Sequence, residues 1–354
     1  MTEHSTQTEA TPPILAALTG HRTAHPPVWF MRQAGRSLPE YRAARADTTM
    51  LESCLDPELA AEITCQPVRR HGVDAAVLYS DIMVPLVLAG VGVRIEPGVG
   101  PVLDEPVRTA AEVDALTSRA AGDAAAITQA ARLVVAELGD ATPLLGFAGA
   151  PFTIAAYLVE GGPSRDHLAA RAMMHADPDS WARLMAWVAD LDAAFLAAQV
   201  SGGASAVQLF DSWAGSLSAR DYTRFVAPHS VRALAGLDRS TPVIHFGVNA
   251  NHLTVAFAQV ASAASDHPVL GVDHRVPLDQ VHQTLSAAGA AMPLQGNINP
   301  AMLFAGQQAL QAEAREVVAA GRAAPGHVVN LGHGVPATAG PDTLTRLVEF
   351  VHSL

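Results

Sequence analysis

The feature of this chain that most restricts its fold is a series of short apolar runs without polar alternation. Eight such runs occur at residues 28–31, 75–80, 144–148, 206–210, 243–246, 269–272, 293–297 and 328–331. A strand with one face in water alternates apolar and polar residues, whereas a strand buried on both faces of a parallel sheet does not. The runs therefore predict a parallel sheet that is covered on both sides.

Helix-like segments lie between these runs. Residues 57–70 open with Asp56 and Pro57, an N-cap residue followed by proline at the first helical position. Apolar residues at helical spacing also mark residues 179–199, 251–262, 278–288, 301–320 and 342–352.

The alternation of eight predicted strands with helices indicates the α/β class and a single-domain (β/α)8 TIM barrel. The long stretches after the second and third strands leave room for extra helices, and an arginine-rich N-terminal loop follows the first strand. An open doubly wound sheet is the alternative, although such sheets more often have about six strands. In a barrel, the catalytic groups lie at the carboxyl ends of the strands.

The domain organisation follows from the absence of a linker or a shift in composition. Residues 1–12 are polar and acidic, which predicts a disordered tail rather than a signal peptide, and residues 13–354 form the predicted barrel domain. The longest stretch without charge, residues 141–159, contains two prolines and two glycines that break a membrane-spanning helix. We therefore expect a soluble cytoplasmic protein with no membrane partner.

Charge and residue usage exclude several classes of function. The chain has 22 basic and 34 acidic residues and a net charge of −12, which argues against nucleic acid as a partner. All 22 basic residues are arginine, so lysine-dependent Schiff-base enzymes, pyridoxal phosphate enzymes and P-loop NTPases are excluded. Cys54 and Cys65 form no CxxC or His-x-Cys motif, so we expect both to be free thiols. His245 and His274 belong to no metal-binding motif. No cofactor and no metal are expected.

Two arginines follow the first predicted strand and suggest an anion site. Arg32 and Arg36 flank Gly35, which lets the backbone approach a ligand closely. Arginine binds carboxylates and phosphates through two parallel hydrogen bonds. The alternative is a surface arginine run that pairs with Glu40 and Asp47.

Other polar residues follow later strands. Asp81 lies among apolar neighbours, where it either caps a turn or accepts hydrogen bonds from ligand N–H groups and stabilises positive charge. Taken alone, Tyr157 is also explained as a core aromatic, Ser212 as a turn serine and His333 as a structural histidine between glycines.

Taken together, these segments resemble the uroporphyrinogen decarboxylase family. The resemblance is carried by PPVWFMRQAGRSLPEYRAAR, AAVLYSDIMVP, GFAGAPFTIAAYLVEGG, QLFDSWAGSLS, GVDHRVPL, LQGNINP and HVVNLGHGV, which occur in order along the chain after the first dozen residues. It implies a homodimeric barrel enzyme of haem biosynthesis that needs neither cofactor nor metal. The implied reaction removes carbon dioxide from the four acetate side chains of uroporphyrinogen III and yields coproporphyrinogen III.

The resemblance also implies roles for individual residues. Asp81, Arg32 and Arg36 are the implied catalytic residues. The implied substrate-binding residues are Arg32, Gln33, Ala34, Gly35, Arg36, Asp81, Tyr157, Ser212 and His333. Ser37 departs from the family, which usually has an aromatic residue there, and we expect looser packing of the arginine loop without loss of activity.

Two other functions remain as hypotheses. A zinc-dependent corrinoid methyltransferase on the same scaffold needs a His-x-Cys and a distant cysteine, whereas both cysteines here precede residue 70. A non-catalytic tetrapyrrole-binding protein would keep the arginines but would not need Asp81.

Overall fold

The computed structural model describes residues 11–35 and 37–354. The predicted tail therefore lies almost wholly outside the described residues, as does Arg36. Helices α1 to α16 span Pro13–Leu18, Pro39–Ala44, Met50–Leu55, Pro57–His71, Val84–Leu88, Ala110–Thr117, Ala125–Leu138, Pro151–Glu160, Leu168–Ala176, Pro178–Ser201, Ala219–Phe225, Ala227–Leu234, Thr254–Ala264, Leu278–Ala287, Gln307–Gly321 and Pro341–His352. Strands β1 to β9 span Ala76–Val77, Val93–Glu96, Gly100–Leu103, Leu144–Gly149, Ala206–Asp211, Val243–Gly247, Pro268–Gly271, Leu294–Gln295 and His327–Val328.

Seven parallel strands form a curved sheet in the order β1-β4-β5-β6-β7-β8-β9. The segment at Val28 occupies the eighth position. Val28 forms a parallel bridge with Val329, next to β9, and its carbonyl accepts a 2.9 Å hydrogen bond from the backbone N–H of Asp74, just before β1. The segment thus joins the two ends of the sheet, and the prediction of a (β/α)8 barrel is confirmed. The sequential strand order differs from the reversal that defines an open doubly wound sheet.

A buried polar network fixes the interior of the barrel. The indole of Trp29 donates to Gln295 at 3.0 Å, and the amide of Gln295 donates to Gln208 at 2.8 Å. Asn330 accepts a 3.1 Å hydrogen bond from the backbone of Met31. Buried polar groups need such partners, so the network ties the first segment to β5, β8 and the residues after β9.

Helix α4 shows how the local sequence sets an element. Asp56 accepts hydrogen bonds from the backbone N–H groups of Glu58 and Leu59, both at 3.1 Å, and Pro57 is the first helical residue. The helix ends at His71 and is capped by Gly72, whose φ of 65° is easily adopted by glycine.

The extra elements lie where the sequence left room for them. Helices α5 to α7 and the antiparallel pair β2 and β3 lie between β1 and β4, and helices α8 to α10 lie between β4 and β5. The β2–β3 hairpin was not predicted.

Helix α10 is long and apolar enough, by length and composition alone, to cross a membrane. It packs against α6, α7, α8, α12 and β4 and buries Trp181, Leu184 and Phe195, among others. These contacts are those of a core helix in the outer layer of a barrel.

Candidate active site

The predicted site residues follow different strands, but most converge at one edge of the barrel. Arg32 follows the Val28 segment, Asp81 follows β1, Tyr157 lies in α8 after β4, Ser212 directly follows β5, and His333 follows β9. The charge of Arg32 influences the pKa values of Asp81, Tyr157 and His333. These four side chains therefore lie near one another at the carboxyl ends of the strands, where barrel enzymes carry out their chemistry.

Asp81 is the carboxylate of this group of side chains. Its Oδ1 accepts a 2.9 Å hydrogen bond from the backbone N–H of Met83, so the turn-capping interpretation is correct for this oxygen. Within the part of the chain that is described, Oδ2 accepts no hydrogen bond and remains free to bind a donor. Burial raises the pKa of Asp81, while the Met83 N–H and the charge of Arg32 oppose that rise.

The arginine loop is held by the side chain of Gln33. This side chain is fully buried, accepts from the backbone N–H of Phe30 and donates to the carbonyl of Ala75, both at 2.9 Å. Arg32 has a φ of 62°, which is unusual for a residue other than glycine. The amide of Gln33 is thus committed to positioning the loop, and its predicted contact with substrate stays a prediction.

Neighbouring residues complete the loop. Ala34 is half-buried against the core, and a Cβ at Gly35 would lie 3.2 Å from the carbonyl oxygen of Arg32. Glu40 pairs with Arg70 at 3.0 Å rather than with Arg32, which weakens the interpretation as a surface ion pair. Arg36 lies outside the described residues, so its predicted role stays a prediction.

Ser37, next to Arg36, points its hydroxyl into the protein. Its side chain is buried and Oγ has no hydrogen-bond partner among residues 11–35 and 37–354. The looser packing expected from the absence of an aromatic ring stays a prediction.

Tyr157 belongs to a cluster of three aromatic rings that the sequence analysis missed. Its ring stacks on Trp213 with centroids 3.9 Å apart, and the ring of His167 lies 4.4 Å beyond Trp213. Burial and then the charge of Asp81 raise the pKa of Tyr157 to about 12. At neutral pH the phenol is therefore protonated and can donate a hydrogen bond. No local signal in the sequence pairs Trp213 with Tyr157, because Tyr157 follows β4 and Trp213 follows β5.

His333 is fixed by its own loop. The backbone N–H of Gly334 donates to Nδ1 at 2.8 Å, so the neutral ring carries its proton on Nε2. Burial lowers the pKa of His333, and the charge of Arg32 lowers it further. A Cβ at Gly334 would lie 2.6 Å from Cδ of Arg32, so the arginine side chain rests directly on this glycine.

Potential metal ligands lie elsewhere. Among the described residues, one group of three could hold a metal ion: His25, Asp74 and His352. His25 and Asp74 precede the first two barrel segments, at the amino ends of the strands. His352 bonds to Asp74 at 2.7 Å and its ring lies 4.8 Å from that of His25, so direct contacts hold the group together.

The two cysteines, Cys54 and Cys65, are free and buried. Burial raises the pKa of both thiols, that of Cys65 to about 12, which disfavours the thiolate form that binds metals.

The fold is similar to that of a solved protein structure. The solved structure of a methyltransferase from Methanosarcina mazei matches with a TM-score of 0.74 and 17% sequence identity, covering 96% of this chain and 97% of that one. At this identity the likeness concerns the fold alone. Fold and site together define a (β/α)8-barrel enzyme with one carboxylate near a guanidinium, a phenol and an imidazole at the carboxyl ends of its strands.

Sequence comparison gives the family. A family model described as uroporphyrinogen decarboxylase (URO-D) matches residues 9–354. A protein named uroporphyrinogen decarboxylase from Arthrobacter sp. strain FB24 is 58% identical over 343 residues, covering 97% of both chains. Another of that name, from Nocardia farcinica strain IFM 10152, is 51% identical over 360 residues, covering 100% of this chain and 99% of that protein. The chain belongs to the uroporphyrinogen decarboxylase family.

Proposed function

We propose that this protein decarboxylates the four acetate side chains of uroporphyrinogen III and releases coproporphyrinogen III and carbon dioxide. The observation that carries the proposal is that Oδ2 of Asp81 accepts no hydrogen bond from residues 11–35 and 37–354 while the charge of Arg32 acts on this carboxylate, within a chain that matches the family over residues 9–354. The methyltransferase hypothesis has only a likeness of fold in its favour.

The chemistry requires an acceptor for the electron pair that remains when carbon dioxide leaves. Protonation of a pyrrole ring carbon creates a cation. Cleavage of the bond to the carboxylate then delivers its electron pair to that cation and leaves an exocyclic methylene. A proton adds to the methylene to give a methyl group, and the ring carbon loses the proton that it gained. The substrate itself thus serves as the electron acceptor.

Asp81 stabilises this cation. Its free oxygen accepts hydrogen bonds from pyrrole N–H groups, which hold the macrocycle in place, and its negative charge stabilises the protonated ring. This role requires the ionised form. Burial disfavours that form, whereas the Met83 N–H and the charge of Arg32 favour it.

The groups around Asp81 bind the carboxylates of the substrate. Arg32 supplies a guanidinium, the phenol of Tyr157 and Nε2 of His333 supply neutral donors, and Arg36 is assigned the same role as Arg32. A local excess of positive charge also offsets repulsion between a polyanionic substrate and a protein of net charge −12.

The remaining parts of the proposal concern partners and location. We propose a cytoplasmic homodimer that has neither nucleic acid nor membrane as a partner and needs no metal or cofactor. Family likeness and the acidic net charge support these statements.

The test is incubation of the purified protein with uroporphyrinogen III, followed by oxidation and chromatography of the porphyrins. We expect coproporphyrin, with partly decarboxylated porphyrins at early times, and equal rates before and after treatment with a chelator. Recovery of unchanged uroporphyrin from a protein that binds it would instead establish a non-catalytic binding protein. Loss of activity with the chelator would contradict the metal-independent reaction.

A further inference from the structure

A second arginine lies at the same edge of the barrel, after β7. Arg275 is separated from the end of β7 by Val272, Asp273 and His274. The side chain of Arg275 is 44% exposed, whereas that of Asp273 is 1% exposed. A buried carboxylate thus pairs with a guanidinium that is partly open to solvent.

Asp273 holds Arg275 in a defined position. Its Oδ2 accepts from Nη1 of Arg275 at 2.9 Å and from the backbone N–H of Asn249 at 2.6 Å. Its Oδ1 accepts from the backbone N–H of Arg275 at 2.9 Å and from the side chain of Asn251 at 3.3 Å. The carboxylate is therefore satisfied without using the whole guanidinium. Apart from Nη1, the side-chain N–H groups of Arg275 have no hydrogen-bond partner in the described chain, and they remain available.

The contacts and charge effects around His333 show that Arg275 lies near the candidate active site. The charges of Arg32 and of Arg275 both lower the pKa of this histidine, as does His274. The backbone nitrogen of His274 would lie 2.2 Å from a Cβ at Gly332, so the loop after β7 packs directly on the loop that carries His333. Arg32 packs on the other side of His333, against Gly334. Arg32 and the loop that carries Arg275 thus both pack against the segment around His333.

We propose that Arg275 binds a substrate carboxylate that the reaction leaves in place, and that it sets affinity rather than the rate of bond cleavage. The proposal rests on the proposed function, because it names the class of ligand that the same active site binds. A tetrapyrrole with carboxylates around its rim needs cationic groups at more than one point, and Arg275 supplies one away from Asp81. A guanidinium that is oriented in advance by a buried carboxylate loses little freedom when it binds.

The experiment compares the wild type with Arg275→Gln and Arg275→Lys. Steady-state rates with uroporphyrinogen III give kcat and KM, and fluorescence quenching gives Kd for uroporphyrin, the stable oxidised form. We expect Arg275→Gln to raise KM and Kd by about tenfold with kcat within about twofold of the wild type, as for loss of one charge-assisted contact. Arg275→Lys keeps the charge and should fall between the two.

Arg239→Gln is the matched control. Arg239 is also an exposed arginine paired with an aspartate, Asp266, at 2.8 Å, but it precedes β6 and so lies at the opposite edge of the barrel. This variant should keep the wild-type KM and Kd. Thermal unfolding of all variants separates loss of binding from loss of folding.

The outcomes distinguish this proposal from the proposed function. Unchanged KM and Kd in a folded Arg275→Gln protein, or a loss in kcat alone, would overturn the role of Arg275 and leave the decarboxylase assignment intact. A wild-type protein that binds uroporphyrin but releases no carbon dioxide would overturn the decarboxylase assignment, while the Kd comparison would still decide whether Arg275 binds the carboxylate.

Discussion

Asp81 combines a partly open carboxylate with surroundings that disfavour its charge. Burial raises its pKa, while one backbone N–H and the charge of Arg32 oppose the rise. The folded-state pKa is thus higher than the value in the unfolded chain, so the ionised side chain opposes folding at every pH above the unfolded-state pKa. A residue that costs stability in its working form is typical of a functional site.

The direction of this shift predicts the pH dependence of turnover. Activity of the free enzyme should fall as the pH decreases through the raised pKa of Asp81, so the acid limb of kcat/KM should lie above pH about 4, the value of an ordinary aspartate. The measurement is kcat/KM for uroporphyrinogen III between about pH 3 and 8.

His333→Gln is the control for that profile. Burial and the charge of Arg32 lower the pKa of His333, whereas burial raises that of Asp81, so the two groups shift toward each other and a variant without the imidazole is needed to tell them apart. A limb that lies at or below pH about 4, or one that disappears in His333→Gln, would show that Asp81 is not the titrating group.

The loops that carry the site residues are positioned by close contacts. Substitution of a residue at such a contact tests whether it positions the site. A Cβ at Gly334 would lie 2.6 Å from Cδ and 2.9 Å from Cγ of Arg32, so Gly334→Ala should displace the arginine. We expect kcat/KM for uroporphyrinogen III to fall about tenfold while Tm stays within about 2 °C.

Gly340→Ala is the matched control, because a Cβ there meets only Oγ1 of Thr343, at 3.6 Å. Equal activity of the two alanine variants would contradict the placement of Arg32 against the His333 loop.

The arginine loop depends on Gln33. Gln33→Ala removes the buried hydrogen bonds to Phe30 and Ala75, and we expect a loss of about 1–3 kcal/mol in the free energy of unfolding. A rise in KM should accompany it, because the loop carries Arg32. Urea denaturation and steady-state rates measure the two effects, with the exposed Gln308→Ala on α15 as control. A variant with wild-type stability and KM would show that the amide does not hold the loop.

The sequence predicted the central strands well because their surroundings are uniform. The predicted limits of β4, β5 and β6 agree with the structure to one residue at each end, since these strands are buried on both faces. The first run became a single bridge at Val28, and β1 has two residues, because partners in a closing barrel overlap only briefly. Periodicity does not carry this information.

Other features escaped because they depend on distant contacts. The β2–β3 hairpin has a turn signal in Pro97 and Gly98, but its strands are half-exposed and lack an apolar run. The stacking of Tyr157 on Trp213 joins residues from different barrel units, so no local pattern predicts it. Asp81 and Arg32, in contrast, were found because both follow apolar runs and match the motifs of the family.

At the scale of the whole molecule, an acidic protein must attract an anionic substrate. The net charge is −12, whereas the carboxyl-terminal edge of the barrel carries Arg32 and Arg275. Salt screens the attraction between these arginines and the carboxylates of the substrate. The KM for uroporphyrinogen III should therefore rise about threefold between roughly 0.05 and 0.5 M salt, with kcat unchanged, in steady-state assays. A KM that falls as the salt concentration rises would show that repulsion of the substrate by the acidic surface outweighs its attraction by these arginines.

The central claim is that the carboxylate of Asp81 stabilises the cation formed on the substrate, and Asp81→Asn tests it most directly. Turnover of uroporphyrinogen III and binding of uroporphyrin are measured on the same folded preparation. We expect turnover to fall by roughly a thousandfold or more, with Kd changed much less and Tm at pH 7 equal to or higher than that of the wild type. Carbon dioxide release at a rate near that of the wild type would contradict the claim.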